Sequence, residues 1–259
     1  MNNFNENKLV SSSDSIYVAG HKGMAGSAIV RLLEQRMSNR SNKKILTTDR
    51  RQLDLRDSGA VDYWFSLNKP NIVIVAAAKV GGIFANNAYP YDFLAENLKI
   101  ELNIIESAWK HGAKRLLFLG SSCIYPKDSI QPITEESLLS GALEHTNEWY
   151  AIAKIAGIKL CDALRKQHGF DAISLMPTNL YGPGDNYDTY GSHFFAANIK
   201  KLLLVKKNNK KNVSIWGTGK ARRELIFSED VADACIFFLN KKIKEPIIKK
   251  IKVITIFIF

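Results

Sequence analysis

The sequence predicts an α/β fold: a doubly wound parallel sheet followed by a smaller mixed α/β lobe. Three observations predict it. Apolar runs of strand length alternate with segments of helical period. The runs are continuous rather than alternating in polarity. The first strand and first helix meet at a glycine-rich turn. Residues 1–14 are polar and read as a disordered tail. SIYVAG (15–20) is an apolar run halted by glycine, a buried strand. From Met24 to Gln35 the period is helical, with Ile29, Leu32 and Leu33 on one face. KKILTTD (43–49) reads as a second strand. Residues 58–67 read as a helix presenting Val61, Trp64 and Phe65, and NIVIVAAA (71–78) as a third strand. A long helix over 90–111, a strand AKRLLFLGSS (113–122), a helix over 147–168 and a strand DAISLMPTN (171–179) complete the alternation. Beyond residue 180 it decays. YGPGDNYDTYGSH is turn-rich, 193–206 is helical, VSIWG is a short strand, and 228–239 is a helix with Ser228 as its expected N-cap. Strands that are apolar on both faces need helices on both faces, and such sheets bind ligands at the carboxyl ends of their strands.

Composition narrows the function classes. The chain has 259 residues, with 46% hydrophobic and 24% charged, an ordinary globular balance. Its net charge of +11 resides in two runs, 199–212 with six lysines and no acid, and 241–259 with six lysines and one glutamate. The remainder is neutral, and the runs lack interleaved aromatics, so they read as solvated faces rather than a nucleic-acid site. Three widely spaced cysteines, Cys123, Cys161 and Cys235, form neither a disulfide framework nor a metal site, and no CxxC or HExxH occurs. There is no apolar stretch of membrane-spanning length and no apolar leader. No membrane partner is expected, and a reducing, cytoplasmic location is the default expectation.

GHKGMAG places Gly20, Gly23 and Gly26 between the first strand and the first helix. Glycine there permits a tight turn and close backbone approach to a pyrophosphate, and the helix N-terminus supplies unpaired N–H groups. The context is that of a Rossmann-type dinucleotide domain, expected over 15–180. The cofactor is decided near the end of the second strand, where an acid would hold a ribose 2′-hydroxyl and a cation a 2′-phosphate. Asp49 is followed by Arg50 and Arg51, and Lys22 lies within the glycine loop. The cations favour NADP(H); the alternative is that Arg50 and Arg51 are exposed loop charges.

Tyr150 and Lys154, four apart on a helix, share one face. A lysine ammonium beside a tyrosine is expected to lower the phenol pKa from about 10 and let it donate a proton to a forming alkoxide. GSSCIYP, at the end of the fourth strand, adds Ser121, whose hydroxyl can bond both a substrate oxygen and the tyrosine. Cys123 stands beside it. His193 opens the second lobe. A cysteine and a histidine on opposite sides of a sugar ring could move protons at carbons next to a ketone.

Glycine loop, strand-end serine, then Tyr-x-x-x-Lys is the order found in the short-chain dehydrogenase/reductase superfamily. It resembles the extended branch, whose C-terminal lobe binds a nucleotide sugar. AGHKGMAGSAI, AAAKVGGIFANN, FLGSSCIYPK, NEWYAIAKIAGIKLC and MPTNLYGPGDN, with WGTGKARREL (216–225), look like the GDP-L-fucose synthase family. That resemblance implies NADPH-dependent conversion of GDP-4-keto-6-deoxy-D-mannose to GDP-L-fucose, by epimerisation at C3 and C5 and reduction at C4. It implies Cys123 and His193 as base and acid of epimerisation, and Tyr150 as proton donor to the C4 oxygen. Lys154 would hold the cofactor ribose and tune Tyr150, and Ser121 would orient the ketone. The NADP site would be lined by Gly20, His21, Lys22, Gly23, Met24, Ala25, Gly26 and Arg50. Leu119, Gly120, Ser121, Ser122, Lys154, Pro177, Thr178, Asn179, Leu180 and His193 would complete it. Lys201, Trp216 and Arg223 would contact the GDP-sugar. A homodimer through the helices near 95–111 and 148–168 is implied by the same likeness.

Two departures stand out. Trp149 precedes Tyr150 where the family usually has proline. Recognisable sequence ends near Asn240, and KKIKEPIIKKIKVITIFIF (241–259) resembles nothing in the family. The expectation is a partial substrate lobe over 181–240 and an atypical tail, from a frameshift or premature end, or else a divergent C-terminus. Impaired substrate affinity is expected to follow, and VITIFIF is aggregation-prone if exposed. Two other readings stay open: another extended-branch nucleotide-sugar epimerase or dehydratase, and an NADP-binding product with little or no activity.

Overall fold

The computed structural model describes residues 9–11, 13–37, 44–188, 191–214, 222–242, 248–250 and 255–257. The Rossmann half runs β1 (Ile16–Ala19), α1 (Met24–Arg36), β2 (Ile45–Leu46), α2 (Ser58–Asn68), β3 (Ile72–Val75), α3 (Ile83–Ala88), α4 (Pro90–Lys110), β4 (Arg115–Leu119), α5 (Glu148–His168) and β5 (Ala172–Met176). There follow β6 (Asn179–Tyr181), α6 (Phe194–Lys207), β7 (Arg222–Phe227), α7 (Ser228–Leu239), β8 (Ile248–Lys250) and β9 (Thr255–Phe257). The main sheet has six strands in the order β2-β1-β3-β4-β5-β8, all parallel. Strand order reverses between β1 and β3, so their carboxyl ends flank the topological switch point.

The pleat divides each strand between two cores. Ile16, Val18, Ile72, Ile74, Leu117, Leu119, Ile173 and Leu175 pack with α1 and α7. Tyr17, Ala19, Val73, Val75, Leu116, Phe118 and Met176 pack with α2, α4 and α5. This is why the strands read as unbroken apolar runs. The helices end where local chemistry stops them. Asp57 caps α2 by accepting from the Ala60 N–H at 3.0 Å, Pro90 opens α4, and Gly169 closes α5 at φ +68°.

Several expectations are corrected. Two described residues of the tail expected to be disordered over 1–14 are packed: Val10 is buried, and the buried Asp14 carboxylate pairs with Lys114 at 2.5 Å. An apolar residue and a partnered acid let this segment pack beneath α1. The second strand is only two residues long, because the polar stretch after Leu46 turns away toward the cofactor-side loop. Ser228 is not an N-cap. Phe227 holds that position, and Ser228 is the first helical residue, buried, its hydroxyl donating to Glu229 at 2.6 Å. Helix α7, expected within the second lobe, packs instead against α1 on the main sheet. The segment after Asn240, expected as an atypical tail, adds a strand to each sheet. Ile248–Lys250 pairs parallel with β5, and Thr255–Phe257 pairs antiparallel with β7, giving a small mixed sheet β6-β7-β9. Its β-branched composition suits open sheet edges.

Arg115 locks α7 onto this framework. It is 3% exposed, donates to the carbonyls of Phe238, Leu239 and Lys241, and pairs with Asp171. It therefore satisfies the orphan carbonyls of a helix C-terminus from inside the core. Arg115→Met leaves those carbonyls without their donor and leaves the Asp171 carboxylate to Arg165 alone. The expected loss is about 3 kcal/mol of unfolding free energy in urea titration.

Candidate active site

The glycine turn sits at the switch point. Gly20 adopts φ +87°, and a Cβ there would lie 2.6 Å from the Ala77 nitrogen beyond β3. A Cβ on Gly26 would collide with the Gly20 carbonyl. Both glycines are therefore required by close backbone crossing, as the motif predicts. Gly23 is the N-cap of α1. No side chain caps that end, and its first turn holds no acid. His21 and Lys22 project from the turn, and Met24 and Ala25 begin the helix. The N-terminus is thus suited to an anion.

The acid at the second strand is already engaged. Lys22 donates to Asp49 at 2.8 Å, and Asp49 also accepts the Arg51 and Gln52 N–H groups in its own turn. These contacts hold its pKa below the usual carboxylate value, Lys22 foremost. Arg50 is exposed, with Asp54 at 3.9 Å.

The proton-transfer groups converge where β4 ends. Ser121 begins a short 3-10 turn, Ser122–Ile124, and its Oγ accepts the Cys123 N–H at 3.4 Å. The Ser122 N–H donates to the Pro177 carbonyl at 3.1 Å, tying this loop to the end of β5. Gly120 has no room for a Cβ against the Met176 sulfur. On α5, Lys154 is 2% exposed. Its Nζ donates to the Leu119 carbonyl at 3.0 Å and lies 4.6 Å from the Phe118 ring centre and 5.8 Å from that of Tyr150. The structure thus brings Ser121, Cys123, Tyr150 and Lys154 together.

The electrostatics depart from expectation at Tyr150. The phenol is pushed well above its usual pKa, by burial first, then by Cys123 and by a carboxylate that sequence reading missed, Glu101. Glu101 lies on α4, 2% exposed, with Oε1 3.0 Å from Lys154 Nζ, aligned as an ion pair rather than as a hydrogen bond. The signal was present: Glu101 falls on the same helical stripe as Asn97, Ile104, Ile105 and Ala108, the buried face of α4. A charged residue on that face needs an internal partner. Asn97 was missed too. It clamps the loop after β3, accepting the Lys79 N–H at 2.7 Å and donating to the Lys79 and Phe93 carbonyls.

The remaining candidates are more dispersed. His193 is exposed at the N-cap of α6. Its ring still stands among enough protein atoms to hold its pKa below the usual histidine value, opposed by Asp185. Its loop is anchored to the one after β3: the Gly82 N–H donates to the Gly191 carbonyl, and a Cβ on Gly82 would lie 2.5 Å from the Ser192 oxygen. Thr178 is buried with an unpartnered hydroxyl, and Asn179 donates to the Glu224 carbonyl at 3.0 Å beside Leu180 in β6. Lys201 lies on α6 near the Ser214 carbonyl, and Arg223 is exposed on β7. Trp216 lies outside the described residues. Trp149 occupies the first turn of α5 and is partly exposed, so its bulk displaces nothing in the core. No group of ligating side chains arranged for a metal occurs among the described residues. Nor is any helix there long and apolar enough to cross a membrane.

Burial pushes the Cys123 thiol up to about 11, against a hydrogen bond with Ser121 and the charge of Lys154. Cys235 rises to about 12, and Cys161 higher still. The residue Cys123 keeps some solvent exposure, whereas Cys161 and Cys235 have none to speak of. A raised thiol pKa means that thiolate appears only as pH climbs. Iodoacetamide should therefore label Cys123 first and slowly at pH 7, with the rate rising roughly tenfold per pH unit up to pH 9, read by peptide mass spectrometry.

Comparison with known proteins agrees with this arrangement. Residues 16–251 match the NAD dependent epimerase/dehydratase family. GDP-L-fucose synthase 1 of Arabidopsis thaliana is 54% identical over 230 residues, covering 88% of this chain and 70% of that protein. The GDP-L-fucose synthase of Escherichia coli K12 is 48% identical over 229 residues, with 88% and 70% covered. Among solved structures, a GDP-L-fucose synthetase from Naegleria fowleri bound to NADP superimposes with TM-score 0.82 at 28% identity, covering 95% of this chain and 79% of that one. The chain thus spans about 70% of the length of the two curated relatives. Likeness of this extent, running through the glycine turn, the β4 loop and α5 alike, places the chain in the GDP-L-fucose synthase family of NAD dependent epimerases/dehydratases.

Proposed function

We propose that the chain performs the NADPH-dependent conversion of GDP-4-keto-6-deoxy-D-mannose to GDP-L-fucose. The observation that carries this reading is the meeting of Ser121, Cys123, Tyr150 and Lys154 at the end of β4, beside the switch point. The residues fit NADP. The Gly20–Gly26 crossing leaves no room for side chains, the α1 N-terminus is uncapped and free of acid, and the Thr178 hydroxyl is buried without a partner. With Asp49 held by Lys22 and its own turn, the exposed Arg50 and Arg51 are the cations that favour a 2′-phosphate. The Naegleria fowleri GDP-L-fucose synthetase, solved bound to NADP, supports the choice.

NADPH, which the Gly20–Gly26 turn and Lys154 would hold, would supply the hydride that reduces C4. The chain's residues supply everything else. A C4 ketone acidifies the protons at C3 and C5, so modest acid–base groups suffice to move them. Cys123 and His193 are the proposed pair. A thiol raised to about 11 is almost wholly protonated near pH 7, so little of the basic thiolate is present and its proton transfer must rely on the strongly polarised substrate. A histidine held below its usual pKa is neutral near pH 7 and can accept or relay a proton. Ser121 donates to the keto oxygen. Tyr150, whose burial keeps it in its acid form, gives its proton to that oxygen as reduction proceeds. Lys201, Trp216 and Arg223 are proposed to contact the GDP-sugar.

We extend the proposal to a homodimer, cytoplasmic and acting without nucleic acid. Leu102 on α4, at 49% exposed, lies with Ile152 and Trp149 of α5 on the two helices the family likeness singles out. Leu102→Glu should shift the chain toward monomer by light scattering while leaving NADPH binding intact.

The two chemistries are separable. Tyr150→Phe should stop NADPH consumption yet retain deuterium uptake into the keto-sugar from D2O. Cys123→Ser should abolish that uptake, whereas equal loss of both activities in each variant would contradict the assignment.

A further inference from the structure

The Lys154 ammonium has two fixed partners, and only one of them belongs to the sheet. The Leu119 carbonyl at 3.0 Å is the last of β4. The other is the carboxylate of Glu101, which reaches across from α4. The space it fills is made by glycine. A Cβ on Gly157 of α5 would lie 2.7 Å from Glu101 Oε2 and 2.6 Å from Phe118 Cζ. Helix α5 therefore carries glycine one turn beyond Lys154 so that carboxylate and ring can sit flush beneath the ammonium. An ion pair this deep adds little to stability over well-packed apolar residues, so its retention needs another reason.

We infer that Glu101 is a positioning residue for proton transfer: its carboxylate, 3.0 Å from Nζ, fixes where the Lys154 ammonium points and keeps negative charge beside Tyr150. The inference rests on the reading of Tyr150 as proton donor. A donor must hold its proton until the oxygen above it gains charge. Negative charge behind the phenol opposes early ionisation, and the Glu101 carboxylate acts on Tyr150 in that sense, added to burial. The charged and titratable groups around the pair are Cys123 from the 3-10 turn, Glu101 from α4, and Lys154 and Cys161 from α5. The carboxylate is itself shifted upward by burial, with Lys154 opposing. Glu101 thus acts on the phenol both directly and through the lysine, and it touches no reacting atom.

Glu101→Gln preserves shape and removes the charge, and the full chain is the material to test. In 15N-lysine spectra, the wild type should show a protected ammonium resonance that is missing from Lys154→Met. Glu101→Gln should broaden or lose it, and Gly157→Ala, which displaces the carboxylate, should do the same. The alkaline limb of the NADPH-dependent reduction should move down by about one pH unit in Glu101→Gln, because the phenolate is no longer opposed. Glu101→Asp, which keeps the charge, should recover part of that shift. A variant that merely melts earlier, with the ammonium resonance and the alkaline limb unchanged, would overturn the inference. A wild type without turnover would count against Tyr150 as donor, and the ammonium resonance would still decide what Glu101 holds.

Discussion

A lysine ammonium cannot be taken out of water without partners, and the functional end of this fold is arranged around one that is. Lys154 ties three elements together: the last carbonyl of β4, the carboxylate on α4, and the helix α5 that carries Tyr150. Phe118 closes the space below, and Gly157 leaves the gap that makes the contact possible. Each partner satisfies a demand set by burial, and breaking one side of such a pair is costly because the other charge remains buried. The same packing that isolates the lysine also raises the phenol and the Cys123 thiol. The site therefore keeps Tyr150 and Cys123 protonated, and the driving force for donation must come from the charge that develops on the carbonyl oxygen. It places the burden of acidifying carbon on the substrate ketone.

The architecture was legible because each strand is apolar on both faces, a pattern that only a covered parallel sheet accommodates. The glycine turn was legible for an equally local reason: Gly20 and Gly26 cross at a distance no side chain survives. Residues that depend on contacts far apart in sequence were not. Glu101 and Lys154 lie on helices separated by strand β4 and a long loop, and nothing near either names the other. A carboxylate on the buried stripe of α4 was the available clue. Ser228 shows the limit of capping rules: serine before an apolar period suggested an N-cap, but the chain enters α7 from β7 directly, and the hydroxyl turns to Glu229 instead. Tyr150 was placed correctly beside Lys154, yet the direction of its shift depended on burial and on Glu101, which spacing alone does not reveal.

The C-terminal segment teaches a related lesson. Its sequence carries none of the family's motifs quoted above, although the family match runs to residue 251, and its backbone adds a strand to each sheet. β5 and β7 each offer an edge, and β8 and β9 pair with them. Helix α7, although late in the chain, belongs to the main core, held by Arg115 through three carbonyls. Cofactor-side and substrate-side elements are thus interleaved along the sequence. The loop bearing His193 is fastened to the loop after β3 through Gly82.

The central claim is that one ketone serves both epimerisation and reduction at this site. The most direct test supplies the full chain with NADPH and GDP-4-keto-6-deoxy-D-mannose in D2O, and examines the product by NMR. The account predicts GDP-L-fucose carrying deuterium at C3 and C5, with one NADPH oxidised per product. Oxidation of NADPH to a product that retains protium at both carbons would contradict it.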